Sequence, residues 1–101
     1  MHFIVTGLDG TDSGALERRM AARPAHLEKF AEMQAAGKFL FAAAMLDEQE
    51  KMTGSVVFCD FPNRAELDAW LEKEPYVVGK VWQNIDVKPC KIVPSCLPVA
   101  P

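Results

Sequence analysis

Histidine occurs only twice, at His2 and His26, and cysteine three times, at Cys59, Cys90 and Cys96, in a chain of 101 residues. Two distant histidines and dispersed thiols do not make the three or four convergent ligands that zinc takes, so no metal site is expected. An odd cysteine count without a C-x-x-C pair fits reduced thiols better than a disulfide framework. Cys90 and Cys96 could pair in principle, but a reducing compartment works against it. The glycines of "GLDGTDSG" have neither the G-x-G-x-x-G nor the P-loop spacing that brings backbone amides onto a phosphate, and no cofactor is implied. Basic charge is also scarce: 11 Lys and Arg, scattered except for the adjacent Arg18 and Arg19, stand against 14 Asp and Glu, which makes nucleic acid a poor partner. No apolar run approaches the roughly 18 residues of a membrane span, and the opening "MHFIVTGLDG" has no basic segment before its short apolar run. The expectation is a cytoplasmic protein with no membrane partner.

What is present describes one compact domain, half apolar and a quarter charged. His2–Leu8 alternates loosely and stops at "DGTDSG", a first strand and its exit loop. From Ala15 to Ala36 the residues Leu16, Met20, Leu27, Phe30 and Gln34 recur at helical spacing, and Gly37 supplies a stop. Lys38–Leu46 opens Phe-Leu-Phe as a strand, and the polar "DEQEKMTG" leads to a third strand, "SVVFCDF". Asn63 and Glu66 form a capping box for a second helix carrying Leu67, Trp70 and Leu71, which Pro75 ends. "WQNIDVKPCKIV" alternates as a half-buried fourth strand. The order strand, helix, strand, strand, helix, strand is the ferredoxin-like split βαβ arrangement, an α+β fold on an antiparallel sheet. The domain covers residues 1–93, and the proline-rich end, residues 94–101, reads as an extended tail. One face of such a sheet is left bare, and the expectation is a homodimer packed sheet to sheet.

Pro24 sits inside the first helical pattern. A strand of about six residues spans roughly 20 Å. An unbroken helix over 14–36 spans about 34 Å, whereas one starting at Pro24 spans about 20 Å. The expectation is therefore a main helix with Pro24 at its first position, after a separate short turn over residues 14–22. His26 then lies in the first turn, where the positive end of the helix dipole favours the uncharged ring as a base. The topology gathers Asp9, Ser55, the Glu74-Pro75-Tyr76 segment and His26 at one end of the sheet. Asp9 is the first choice for the carboxylate that orients the imidazole and Glu74 the second. Arg23, beside His26, is a candidate anion contact. Each of these residues also has a plain structural reading: a satisfied helical histidine, a strand-end hydroxyl at Ser55, a core aromatic at Tyr76, a solvated Arg23.

Several segments taken together carry a resemblance. A first strand ending in Asp9, "ARPAHLEKF" with Arg23 and His26, "TGSVV" with Gly54 and Ser55, "EPYVVGKV" with Pro75, Tyr76 and Gly79, and "VKPCK" with Lys88 and Pro89 resemble the YciI-like (YCII-related) family over roughly residues 1–93. The resemblance implies a ferredoxin-like dimer, an α+β barrel-like assembly similar to muconolactone isomerases, with a histidine–aspartate site in a cleft at the dimer interface. The family commonly has Asp where this chain has Glu74, and "AGP" after the second strand where this chain has "AAAML". It includes a dehydrochlorinase acting on a chlorinated hydroxyhydroquinone. The resemblance thus implies cofactor-free elimination of HCl from a polyhydroxylated aromatic. His26 would be the base, Asp9 would orient it, and Ser55, Arg23, Tyr76 and Glu74 would face the substrate. A lactone or enol isomerase using the same base, and a non-catalytic dimeric ligand-binding or accessory protein, are the alternatives.

Overall fold

A computed structural model of the chain describes residues 1–97. Four strands, β1 (His2–Asp9), β2 (Phe39–Leu46), β3 (Met52–Asp60) and β4 (Trp82–Cys90), form one antiparallel sheet in the order β2-β3-β1-β4. Helix α1 (Ala15–Ala35) crosses between β1 and β2. Between β3 and β4 come α2 (Arg64–Leu71) and a single turn, α3 (Pro75–Val78). This is the ferredoxin-like α+β fold.

Alternation along the strands decides which side is core. Phe3 and Val5 of β1, Phe39 of β2, and Val57 and Cys59 of β3 point to the helices and pack with Phe61, Leu67, Tyr76, Val81 and Trp82. The other face is uncovered. Phe41 there is 64% exposed, and a cavity of about 670 Å³ opens beside it between Ile4, Phe58 and the chain after Cys90. Asn63 caps α2 by accepting from the Glu66 amide at 2.9 Å.

The break expected at Pro24 is absent, because α1 runs through it without interruption. The length argument failed in its strand term. The strands have eight or nine residues, about 26–30 Å at 3.3 Å each. A helix of 21 residues, about 32 Å, matches them. Proline in a helix interior removes one hydrogen bond, a cost of about 3 kcal/mol. Pro24 and Met20 lie on the exposed side, so the carbonyl left over is open to water.

The predicted stripe of α1 is also turned. Leu16, Met20 and Leu27 are 41–49% exposed, and the residues the helix buries are Arg19 and His26. Ala22, Phe30 and Met33 are the apolar groups it gives to the core. At the C-terminal end, Pro94–Cys96 forms a turn of 3-10 helix rather than extended chain, and the rest of the expected tail, 98–101, lies outside the described residues.

Candidate functional site

Arg19, Arg23, His26 and Phe30 fall at i, i+4, i+7 and i+11 of α1 and therefore share its sheet-facing side. Their side chains border a cavity of about 190 Å³ that lies between α1 and the β2–β3 edge of the sheet. Ala42, Ala43 and Ala44 of β2 form the opposite wall, with Ser55 and Val57 of β3 and Tyr76 of α3 closing it. The register pairs Ala44 with Ser55 and Ala42 with Val57, on the helix side of the sheet.

The imidazole of His26 is fixed by three neighbours. Its Nδ1 hydrogen-bonds Oε1 of Glu74, which is fully buried. The ring stacks on Tyr76 at 3.8 Å and 9° between planes, and meets the edge of Trp82 at 6.1 Å. With Nδ1 engaged by the carboxylate, Nε2 is the ring nitrogen left to serve the cavity. Glu74 reaches this position because it is the N-cap of α3, where Pro75 starts the turn and the Glu74 side chain also accepts from the Tyr76 amide at 3.5 Å. Its second oxygen, Oε2, is buried without a hydrogen-bond partner.

Asp9, the first choice as partner of His26, is held elsewhere. Arg19 donates from Nη1 to both Asp9 oxygens, at 2.9 and 3.0 Å, and from Nη2 to Oγ of Ser55 at 2.8 Å. Both members of this pair are buried. Asp9 stands at the end of β1, and α1 presents Arg19 to it two turns before His26, so the guanidinium intercepts the carboxylate. The dipole argument for His26 lapses as well, since the ring sits midway along an unbroken helix and the dipole acts within the first turn.

Ser55 lies in the middle of β3 rather than at its start, and its Oγ also accepts from Trp82 Nε1 at 3.3 Å. Trp82 comes this close because Gly7 has no Cβ; one built there would meet the indole at 2.3 Å. Arg23 is half-buried and donates to Met52 Sδ at 2.8 Å. Burial pushes the Tyr76 phenol above its ordinary value, against the opposing pull of Arg19 and Arg23, so it stays a donor. Among the described residues no cluster of three or more His, Cys, Asp or Glu could hold a metal ion, and no helix is long and apolar enough to cross a membrane.

Arg19 and Gly7 were not singled out for the site from the sequence. The i, i+4, i+7 spacing with Arg23 and His26 was the available signal for Arg19. Nothing local marks the Gly7–Trp82 contact, which joins β1 to β4.

Comparison with known proteins follows the same lines. The YCII-related domain matches residues 1–91. Protein YciI of Escherichia coli O6:H1 is 33% identical over 99 residues, covering 92% of this chain and 99% of that protein. The fold is similar to that of 5-chloro-2-hydroxyhydroquinone dehydrochlorinase from Burkholderia phenoliruptrix, solved in complex with 2,5-dihydroxybenzoquinone. That similarity has a TM-score of 0.78 at 22% identity, over 90% of this chain and 94% of that one. A dimeric ferredoxin-like protein of unknown function from Jannaschia is similar at a TM-score of 0.51 and 19% identity, over 90% and 98% of the two chains.

Proposed function

The chain belongs to the YCII-related domain family, and from that premise we propose that it is a cofactor-free lyase that eliminates HCl from a chlorinated hydroxyhydroquinone. The observation that carries this reading is the buried His26–Glu74 pair at the wall of a ring-sized cavity. A neutral imidazole with Nδ1 donating to a carboxylate has its basic nitrogen free. His26 takes a proton from a ring hydroxyl and returns one to the chlorine-bearing carbon, giving a keto tautomer. Loss of a second hydroxyl proton then breaks the C–Cl bond, chloride leaves with the bonding pair, and a hydroxyquinone and HCl result. Glu74 holds the tautomer and balances the imidazolium that forms. Asp9 acts on the site through Arg19, which positions Ser55. Tyr76 donates to a ring oxygen, and Arg23 faces the anionic part of the substrate. The neighbour solved with a dihydroxybenzoquinone lends this substrate class its support.

The unit that carries the chemistry is the domain of residues 1–93, working in the cytoplasm as a homodimer joined on the outward face of the sheet. Exposed Phe41 and the dimeric description of the similar Jannaschia protein favour that arrangement. A sedimentation mass at the monomer's 11.2 kDa at micromolar concentration overturns it.

The test of the reaction is chloride release from chlorohydroxyhydroquinone by the wild type and by His26→Ala. The expected result is a fall of about 10²-fold or more with binding of 2,5-dihydroxybenzoquinone retained. An unchanged rate removes the base. Proton exchange on the ring without chloride release identifies an isomerase built on the same pair.

A further inference from the structure

Two arginines and one histidine border the cavity, and two of the three are already matched. Arg19 is neutralised by Asp9, and His26 is paired with Glu74. Arg23 is different. It is half-buried and lines the cavity, yet its hydrogen-bond partner is the thioether of Met52, a weak acceptor, and among the described residues no carboxylate forms an ion pair with it. A guanidinium partly withdrawn from water and facing a sulfur has a positive charge with no direct ion-pair partner among the described residues.

The size of the space limits what can compensate it. An engineered cavity of 150 Å³ holds benzene, and this one measures about 190 Å³. Apart from Ser55 and Tyr76 its remaining walls are apolar: Leu27, Phe30 and Val57, with the three alanines of β2 where larger side chains would fill the space. A single six-membered ring with small substituents fits this space.

We propose that Arg23 selects the charge state of the ligand, so that the cavity binds single-ring monoanions, with the negative group on Arg23 and the opposite edge of the ring turned to His26. The inference rests on the reading of this cavity as the substrate site and gives that substrate a charge: the ring enters already singly ionised. A neutral ring leaves Arg23 without an ion-pair partner. A second negative charge on the ring has no free cation to meet, since Arg19 is committed to Asp9 and Ser55.

The test uses inert single-ring probes, the near-isosteric benzoate and benzamide and the doubly charged benzene-1,4-dicarboxylate, titrated at neutral pH. The chain has two tryptophans, and the indole N–H signals in a nitrogen-correlated NMR spectrum separate the site from the core. Trp82 Nε1 bonds Ser55 at the cavity wall, whereas Trp70 packs on Phe39 and Phe61. Benzoate is expected to bind about tenfold or more tighter than benzamide, the strength of one charge-assisted hydrogen-bond pair. It should shift the Trp82 signal and leave that of Trp70. The dicarboxylate should bind no tighter than benzoate. Arg23→Gln should bring benzoate and benzamide to within about twofold, and Arg23→Lys should keep part of the preference. Equal binding of the two rings by the wild type, a preference that survives Arg23→Gln, or no binding of either at millimolar concentrations overturns the proposal. None of the probes carries a leaving group, so failure of HCl elimination leaves this test standing. Chloride release without any charge preference sinks the inference alone.

Discussion

Helix α1 buries two acid–base pairs two turns apart, and they are finished to different degrees. At Arg19 the carboxylate is closed: both Asp9 oxygens accept from one guanidinium nitrogen and Ser55 takes the other, which leaves Arg19 Nε as the atom buried without a partner. At His26 the pair is left incomplete. The ring lines the cavity, and Oε2 of Glu74 is buried without a partner, an omission that costs about 1–3 kcal/mol. A fully bonded carboxylate braces the end of the sheet. A half-bonded one stands directly behind the histidine that lines the cavity.

The sharpest way to break the comparison is to remove one member of the closed pair. Asp9→Ala leaves the buried Arg19 charge unmatched and should cost about 3–5 kcal/mol of stability, read from urea denaturation. A loss below about 1 kcal/mol would show that Arg19 reaches water and that the two pairs are alike. Gly7→Ala comes next. The added Cβ runs into the Trp82 indole, which has little room to yield because it also packs on Tyr76. The expected cost is about 1–3 kcal/mol, with weakened ligand binding as Trp82 leaves Ser55.

Glu74→Gln sharpens the contrast from the other side. The amide keeps the shape, so stability should stay within about 1 kcal/mol, whereas chloride release should fall about tenfold or more as the imidazolium loses its counter-charge. Equal losses of stability in Glu74→Gln and Asp9→Asn would erase the distinction. Glu74→Asp tests reach alone, because the shorter side chain starts from the same cap of α3. It should lower the rate by less than Glu74→Gln.

The smallest effect lies in the core. Burial pushes the Cys59 thiol from its ordinary 9.0 up to about 12, so folding holds it protonated. That contribution is complete below pH 9 and is lost as pH rises towards 12, with Tyr76 acting in the same direction. Cys59→Ala should flatten the alkaline fall in stability. In the native protein an alkylating reagent should modify Cys96 first, Cys90 next and Cys59 last, following their exposure.

The strand order and the second helix were legible because period-two and period-3.6 patterns were clean there, as at Phe3 and Val5 or Leu67 and Trp70. Helix α1 was not, because its inward face is polar at the site: Arg19 and His26 occupy positions that hydrophobicity assigns to solvent, and Leu16, Met20 and Leu27 lie outside. The proline was given too much weight. A helix held along its length by the sheet absorbs one missing hydrogen bond, and only the true strand lengths reveal that it needs to. The choice of Asp9 over Glu74 failed for lack of the third partner, since the topology brings both carboxylates to the same end of the sheet and only Arg19 decides between them.

The central claim is that Glu74 accepts from Nδ1–H of His26 and leaves Nε2 unprotonated towards the cavity. Long-range proton–nitrogen NMR of the ring at neutral pH reads this directly. The account predicts the proton on Nδ1 alone, with Nε2 bare and shifting when a ligand enters. A proton on Nε2 in the ligand-free protein would contradict it.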